Sequence, residues 1–204
     1  MLKKDTYNTI LKPSPEAIFK DRGSKFLGYA FPLKQEENVK KIIQDLKDSH
    51  FKARHWCYAW RLGRSENEIR LRVNDDGEPS NSAGQPIYGQ IVSKELTNVL
   101  VVVVRYFGGT KLGVGGLVNA YKTAAEMAIK ASSIVEKTID VKYQLIFEYK
   151  DMNKVMHVIK ERNLAIISQK MEMNCDFEIS VRKNEAENVK NIFESLRCLK
   201  IKQF

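Results

Sequence analysis

"NVLVVVVRYFGGTKLGVGGLVNAYKTAAEMAIKAS", residues 98–132, sets the architecture of the first part of this chain. It opens on an apolar run, 99–104, β-branched at every position but Leu100 and far short of the roughly 20 apolar residues that cross a bilayer. Such a run reads as a strand buried on both faces. The stretch closes on a long alanine-rich helix expected over 116–132, alanine being the strongest helix former. Between the two lies a loop with five glycines, Gly108, Gly109, Gly113, Gly115 and Gly116. Glycine admits positive φ and lets another molecule come close to backbone N–H groups. A helix start adds about half a positive charge, and Arg105 and Lys111 stand beside it. Together these are the parts of a phosphate cradle. The spacing is neither a Walker A loop nor a dinucleotide GxGxxG fingerprint. The competing reading is that the glycines only shape a tight turn and let helix and strand pack.

Outward from this stretch the chain divides in two. All 11 glycines and all 5 prolines lie at or before Gly116. The remainder is made of regular elements: a strand at 139–149, a helix at 151–163 with Asp151 as N-cap, strands at 164–173 and 176–183 around a turn at Asn174, a helix at 184–197 and a last strand at 199–204. The order β-α-β-β-α-β is that of a ferredoxin-like sandwich, a fold that identifies no function by itself. The first part reads as α+β. Strands are expected at 24–33, 53–62 and 67–73, with a hairpin across 63–66. An amphipathic helix is expected at 37–50, and a short helix or turn at 84–90.

Length and composition bound the rest. A chain of 204 residues, 43% hydrophobic and 29% charged, is an ordinary globular balance for one large domain or two small ones. The N-terminal segment has no apolar core of a signal peptide. Cys57, Cys175 and Cys198 are odd in number and unpatterned, which favours reduced thiols in the cytoplasm over a disulfide framework or a zinc site. Residues 1–137 carry 22 Lys and Arg against 15 Asp and Glu, and residues 138–204 carry 12 against 10, so most of the formal +9 sits in the first part. A basic excess attracts polyanions; it equally serves solubility.

A second loop, "RVNDDGEPSNSAGQP" (72–86), places Asp75, Asp76 and Glu78 within four positions. Such carboxylates chelate Mg²⁺ or act as a general base. They also suit a self-satisfied turn: Asp-Gly bends the chain, Pro79 fixes φ, and Asp, Ser and Asn side chains bond nearby N–H groups. On that second reading Ser80, Asn81 and Ser82 cap a helix near Ala83. In "RHWCYAW", His55 and Cys57 share one face of a strand and Trp56, Tyr58 and Trp60 the other. Side chains two apart on a strand stand roughly 7 Å apart, which favours packing over a Cys–His nucleophile. The aromatic face reads as core or as a base-stacking platform.

"DDGEPSNSAGQP" followed by "LTNVLVVVVRYFGGTKLGVGGLVNAY" resembles the IMPACT family, in its bacterial YigZ-type members. "SKFLGYA" and the His55, Cys57, Ala59 strand belong to the same resemblance, which covers about residues 15–130. Asn81-Ser82 stands where the family has Gly-Thr; serine keeps the hydroxyl and asparagine tolerates a left-handed backbone. The resemblance implies an Impact N-terminal domain of the ribosomal-protein-S5 domain-2-like fold over residues 1–135. It implies a ferredoxin-like βαββαβ domain over 138–204, like those of elongation factor G. The eukaryotic relatives regulate translation, so RNA or the ribosome is the expected partner, with a protein of translation control as another. No catalytic residue, metal, cofactor or membrane association is expected, and the place is the cytoplasm. The expected phosphate contacts are Arg105, Gly108, Gly109, Lys111, Gly113, Gly115 and Gly116, with Arg22, Lys25, Arg54, Arg70 and Arg72 adding attachment. The family motif loop, Asp75, Asp76, Gly77, Glu78, Pro79, Ser80, Ser82, Ala83 and Gly84, would brace the glycine loop or meet a partner. Two alternatives stay open. One is a phosphotransferase-like enzyme holding a nucleotide on the same loop and Mg²⁺ on the carboxylates. The other is a protein-binding regulatory module.

Overall fold

The structure, a computed structural model, describes residues 5–204, so the first four residues of the expected 1–135 domain lie outside the described residues. In chain order the elements are β1 (Thr6–Ile10), β2 (Ala17–Asp21), β3 (Ser24–Pro32), α1 (Glu37–Ser49), β4 (His55–Leu62), β5 (Arg70–Asn74), α2 (Gly84–Ser93), β6 (Val99–Tyr106) and α3 (Gly113–Lys130). After these come β7 (Ile134–Thr138), β8 (Asp140–Phe147), α4 (Met152–Glu161), β9 (Ala165–Met171), β10 (Cys175–Arg182), α5 (Ala186–Ser195) and β11 (Leu199–Gln203). The fold class is α+β. Two compact units form, residues 7–137 and residues 138–204 with the N-terminal Asp5 and Thr6.

In the first unit a five-stranded sheet runs β2-β3-β6-β4-β5. Every neighbouring pair is antiparallel. β6 is the middle strand, and Val99 through Val104 are fully buried, which is why this strand shows no polar alternation. One face of the sheet packs on α2 and α3 through Phe26, Cys57, Ala59, Val101, Val103 and Tyr121. The other face, with Leu27, Trp60, Leu62, Leu100, Val102 and Val104, packs on α1 through Val39 and Leu46. The aromatic side of β4 is therefore largely core. α3 comes very close to the sheet: Ala120, Ala124, Ala125 and Ala128 are fully buried. At Gly28 a Cβ would lie 2.4 Å from the carbonyl oxygen of Ala124.

In the second unit the sheet order is β11-β8-β10-β9, all antiparallel. That is the 4-1-3-2 arrangement of a ferredoxin-like sandwich, with α4 and α5 on one face. Tyr143, Leu145, Phe147, Phe177, Ile179 and Phe193 fill the core. The buried Tyr143 hydroxyl donates to the carbonyl of Ala186 at 3.1 Å, which satisfies a polar group that burial alone would penalise.

Several boundaries differ from the expectation. α2 runs on to Ser93 and α3 starts at Gly113, three residues before 116. β1, β2 and β7 were not foreseen; each has five residues. β7 is almost wholly exposed, so it carries little hydrophobic signal. Asp151 does occupy the N-cap position of α4 but makes no side-chain cap; its carboxylate takes the Lys154 ammonium at 2.9 Å instead.

Candidate functional site

The acidic loop is held by its own carboxylates. Asp75 Oδ1 accepts the N–H groups of Ala83 (2.9 Å) and Gly84 (2.8 Å), and Oδ2 accepts that of Asn81 at 2.9 Å. Asp75 thus caps the start of α2, a role the sequence reading gave to Ser80, Asn81 and Ser82. The Ser82 hydroxyl turns back to the Pro79 carbonyl at 2.6 Å. Asp76 Oδ2 accepts the Trp56 N–H at 2.7 Å, and the Asp76 carbonyl lies 2.8 Å from His55 Nδ1. Asp76, Gly77 and Asn81 all take positive φ, 43°, 85° and 61°. Asparagine therefore occupies the left-handed position where the family pattern has glycine. Gly84 has no room for a side chain, since a Cβ would stand 2.7 Å from Asn74 N. Pro79 and Ser80 are exposed.

Glu78 points inward. Its side chain is only 4% exposed, and Oε1 accepts Arg105 Nη1 at 2.5 Å and the Tyr121 hydroxyl at 2.7 Å. Arg105, expected to face a ligand at the strand exit, is itself buried, with its guanidinium between the rings of Phe26 and Phe107 at 5.4 and 5.6 Å. Charge-assisted bonds of this kind are among the strong ones, and the face of an aromatic ring attracts a cation. His55 Nε2 lies 3.9 Å from the same Glu78 oxygen. The three carboxylates that a metal-dependent reading would use are thus already engaged by backbone amides, a guanidinium and a phenol. His55 and Tyr121 were not among the expected site residues. The signal for them was weak: a strand residue quoted for its pairing with Cys57, and the last residue of the "GLVNAY" motif.

Cys57 completes the cluster. Its thiol sits 3.0 Å from the Asp75 carbonyl oxygen and 3.3 Å from the Tyr121 hydroxyl, so its one proton serves either. Burial pushes the Cys57 thiol and the Tyr121 phenol up from their ordinary values of 9.0 and 10.0. Groups kept neutral in this way add stability that is full below those ordinary values and is lost as pH rises beyond them. Urea midpoints measured across the alkaline range are expected to hold steady up to about pH 9 and then fall. Tyr121→Phe should make that fall shallower.

The glycine loop sits next to this cluster. Residues 107–111 and 113–115 are exposed. Each glycine has its own reason. Gly108 is pressed against the β2–β3 turn, where a Cβ would stand 1.9 Å from the Gly23 carbonyl carbon, and its N–H donates to Ser24 Oγ at 3.1 Å. Gly109 and Gly113 take φ of 88° and 74° with open space around them, and a Cβ on Gly116 would meet Leu112 at 2.9 Å. Gly115 differs. It lies inside α3, its φ is not positive, and a Cβ there would meet nothing within 4 Å. Neither backbone conformation nor packing requires glycine at that exposed position.

The other expected cations divide between two places. Lys111 is exposed and makes no ion pair among the described residues. Arg22 is in the exposed turn whose Gly23 touches Gly108. Lys25 pairs with Tyr106 across β3 and β6, and the Arg54 N–H donates to the Arg105 carbonyl at 3.3 Å. These four gather at the end of β6 where the glycine loop begins. Arg70 and Arg72 are on the edge strand β5, each about one charge contact from Glu36, at 3.8 and 4.0 Å. They are not part of the loop.

The Impact N-terminal domain profile matches residues 22–129 of this chain. A Haemophilus influenzae IMPACT family member is 29% identical over 182 residues, covering 87% of each protein. A Thermus thermophilus IMPACT family member is 34% identical over 141 residues, 69% of this chain and 74% of that one. Among solved structures, a crystal structure of a hypothetical protein superposes with a TM-score of 0.72 at 25% identity, over 97% of each chain.

Proposed function

Because this chain belongs to the IMPACT family, we propose that it is a non-enzymatic RNA- or ribosome-associated protein of translation control. On this reading phosphates lie over the exposed backbone of residues 109–111 and 113–115, with Lys111, Arg22, Lys25 and Arg54 supplying charge around them. The observation that carries the reading is Gly115. A helical glycine costs about 0.5–1 kcal/mol relative to alanine, and here nothing inside the protein occupies the space a methyl group would fill. Gly89 inside α2 is open in the same way; what singles out Gly115 is its place in the glycine loop among exposed cations, where a bare backbone admits a molecule from outside. Arg105 takes no part in contact; together with Glu78 it holds β6, the acidic loop and α3 in place beneath the glycine loop. No helix among the described residues is long and apolar enough to cross a membrane.

The test is a titration of labelled single-stranded RNA, and of ribosomes by co-sedimentation, against salt. Binding should weaken as salt rises, with a logarithmic slope of about −0.7 for each phosphate neutralised on a single strand. Lys111→Glu should weaken it and flatten the slope by about 0.7 for the lost phosphate contact. Gly115→Ala should raise stability by about 0.5–1 kcal/mol while lowering affinity. Absence of binding at low salt, or full affinity in Gly115→Ala, would overturn the reading. Binding that survives nuclease treatment of the partner fraction would favour a protein partner in its place.

A further inference from the structure

At the other end of β6 lies a groove of about 1050 Å³. It is built by segments far apart in sequence: β1, the β3–α1 junction, the β4–β5 connection, Asn98 before β6, and β7. Among the described residues four cations line it, Lys34, Arg64, Arg70 and Lys137, against one acid, Glu68. Arg70 also reaches Glu36 at 3.8 Å, a solvent-exposed contact, which on a surface is worth little. Tyr7 lies beneath Arg64, whose guanidinium stands 5.9 Å from the ring centre. Ile69 and Pro32 add apolar wall, and Asn38 and Asn67 present carboxamides.

The frame of the groove is set before any ligand arrives. The Gly63 N–H donates to Asn98 Oδ1 at 3.1 Å, and the Thr97 hydroxyl donates to the Gly63 carbonyl at 2.7 Å. The Asn98 carbonyl accepts the Leu33 N–H at 2.8 Å and the Thr9 hydroxyl at 3.4 Å. Gly63 holds φ of 115°, and a Cβ there would stand 2.5 Å from the Glu68 carbonyl. The turn that carries Arg64 is thus held by backbone contact.

We infer that this groove is a second site, for a short single-stranded stretch of nucleic acid, separate from the glycine loop. Cations alone would suit any polyanion. The combination with an aromatic ring, apolar walls and free carboxamides is narrower. Single strands are held by a basic groove that tracks phosphates and by rings on which bases stack. Carboxamides donate to and accept from base edges, where an acidic peptide offers mainly acceptors. The inference shares a ligand class with the proposed function but rests on different residues. The eight residues of β6 separate the two places, about 23 Å at 3.3 Å per residue.

The experiment uses the whole chain and fluorescent oligonucleotides: single-stranded RNA, single-stranded DNA of the same sequence, and duplex RNA. A poly-glutamate peptide serves as the acidic competitor. Arg64→Glu with Lys137→Glu is expected to lower single-strand affinity at least tenfold with unchanged circular dichroism and melting, both side chains being on the surface. Tyr7→Ala, a change without charge, should lower it severalfold. Photo-crosslinks should map to peptides containing Tyr7 or Arg64. Comparable RNA and DNA binding supports a single-strand site without sugar selection; preference for RNA supports one that reads the 2′-hydroxyl. Full affinity in the double variant, preference for duplex, or displacement by poly-glutamate at equal charge concentration overturns the inference. If Lys111→Glu loses binding while the groove variants keep it, the groove fails and the glycine loop stands. The reverse result leaves the groove standing and removes the loop.

Discussion

Glu78→Ala is expected to lower the folding free energy by about 3–5 kcal/mol, the usual cost of stranding one member of a buried ion pair. The guanidinium of Arg105 would remain inside with Phe26 and Phe107 around it and no carboxylate, and the Tyr121 hydroxyl would lose its acceptor. Against a typical total of about 5–15 kcal/mol, that is a large share. Arg105→Met alone should also destabilise, because it leaves the Glu78 carboxylate buried. The double variant Glu78→Ala, Arg105→Met should recover a large part, since removing both charges also removes the desolvation they incur. Urea denaturation of the four proteins closes the cycle. A loss below 1 kcal/mol for Glu78→Ala would mean that water reaches the pair.

Gly28→Ala should cost about 3 kcal/mol, at the upper end of what overpacking a core usually does. The added methyl would fall 2.4 Å from the Ala124 carbonyl oxygen, 3.0 Å from its carbon and 3.1 Å from Ala128 Cβ. Two of those three atoms are main chain of α3, so no rotamer change relieves the clash. The helix must lift from the sheet, opening gaps beneath the buried alanines along its length. For a chain of this size the melting temperature should drop by about 6–12 °C. Gly115→Ala on the same helix has the opposite sign, so the pair separates glycines that packing requires from one it does not. Equal melting temperatures for wild type and Gly28→Ala would contradict the close approach of α3 to β3.

Much of this was readable from residue pattern. The valine run of β6, the alanine face of α3 and the βαββαβ order of the second unit each follow from periodicity, because burial on one or two faces imposes it. Other elements leave no such trace. β7, "IVEKT", has no apolar–polar alternation and is exposed along nearly its whole length. The acidic loop shows how local chemistry misleads in detail. Three neighbouring carboxylates suggest a shared ligand, yet they turn three ways, Asp75 to the start of α2, Asp76 to Trp56 and Glu78 to Arg105. Arg105 looked like a surface cation because the strand ends one residue later; only the fold shows that its side of β6 faces α3. The groove at the far end was beyond local reading altogether. Tyr7, Lys34, Arg64 and Lys137 come from four segments that only the folded backbone assembles.

The sheet order has a consequence for how the chain reaches this state. β3 and β4 are not partners; β6, more than thirty residues downstream of β4, is inserted between them and pairs with both. During synthesis the β2–β3 and β4–β5 hairpins emerge first, with their inner edges unsatisfied. In the finished sheet no ladder joins these two ribbons except through β6. Joining so many distant positions in one step makes this a slow, high-contact-order event, and the open edges are exposed to wrong partners in the interval. The glycine loop follows β6 directly in the chain, so it leaves the exit tunnel just as the sheet becomes able to close.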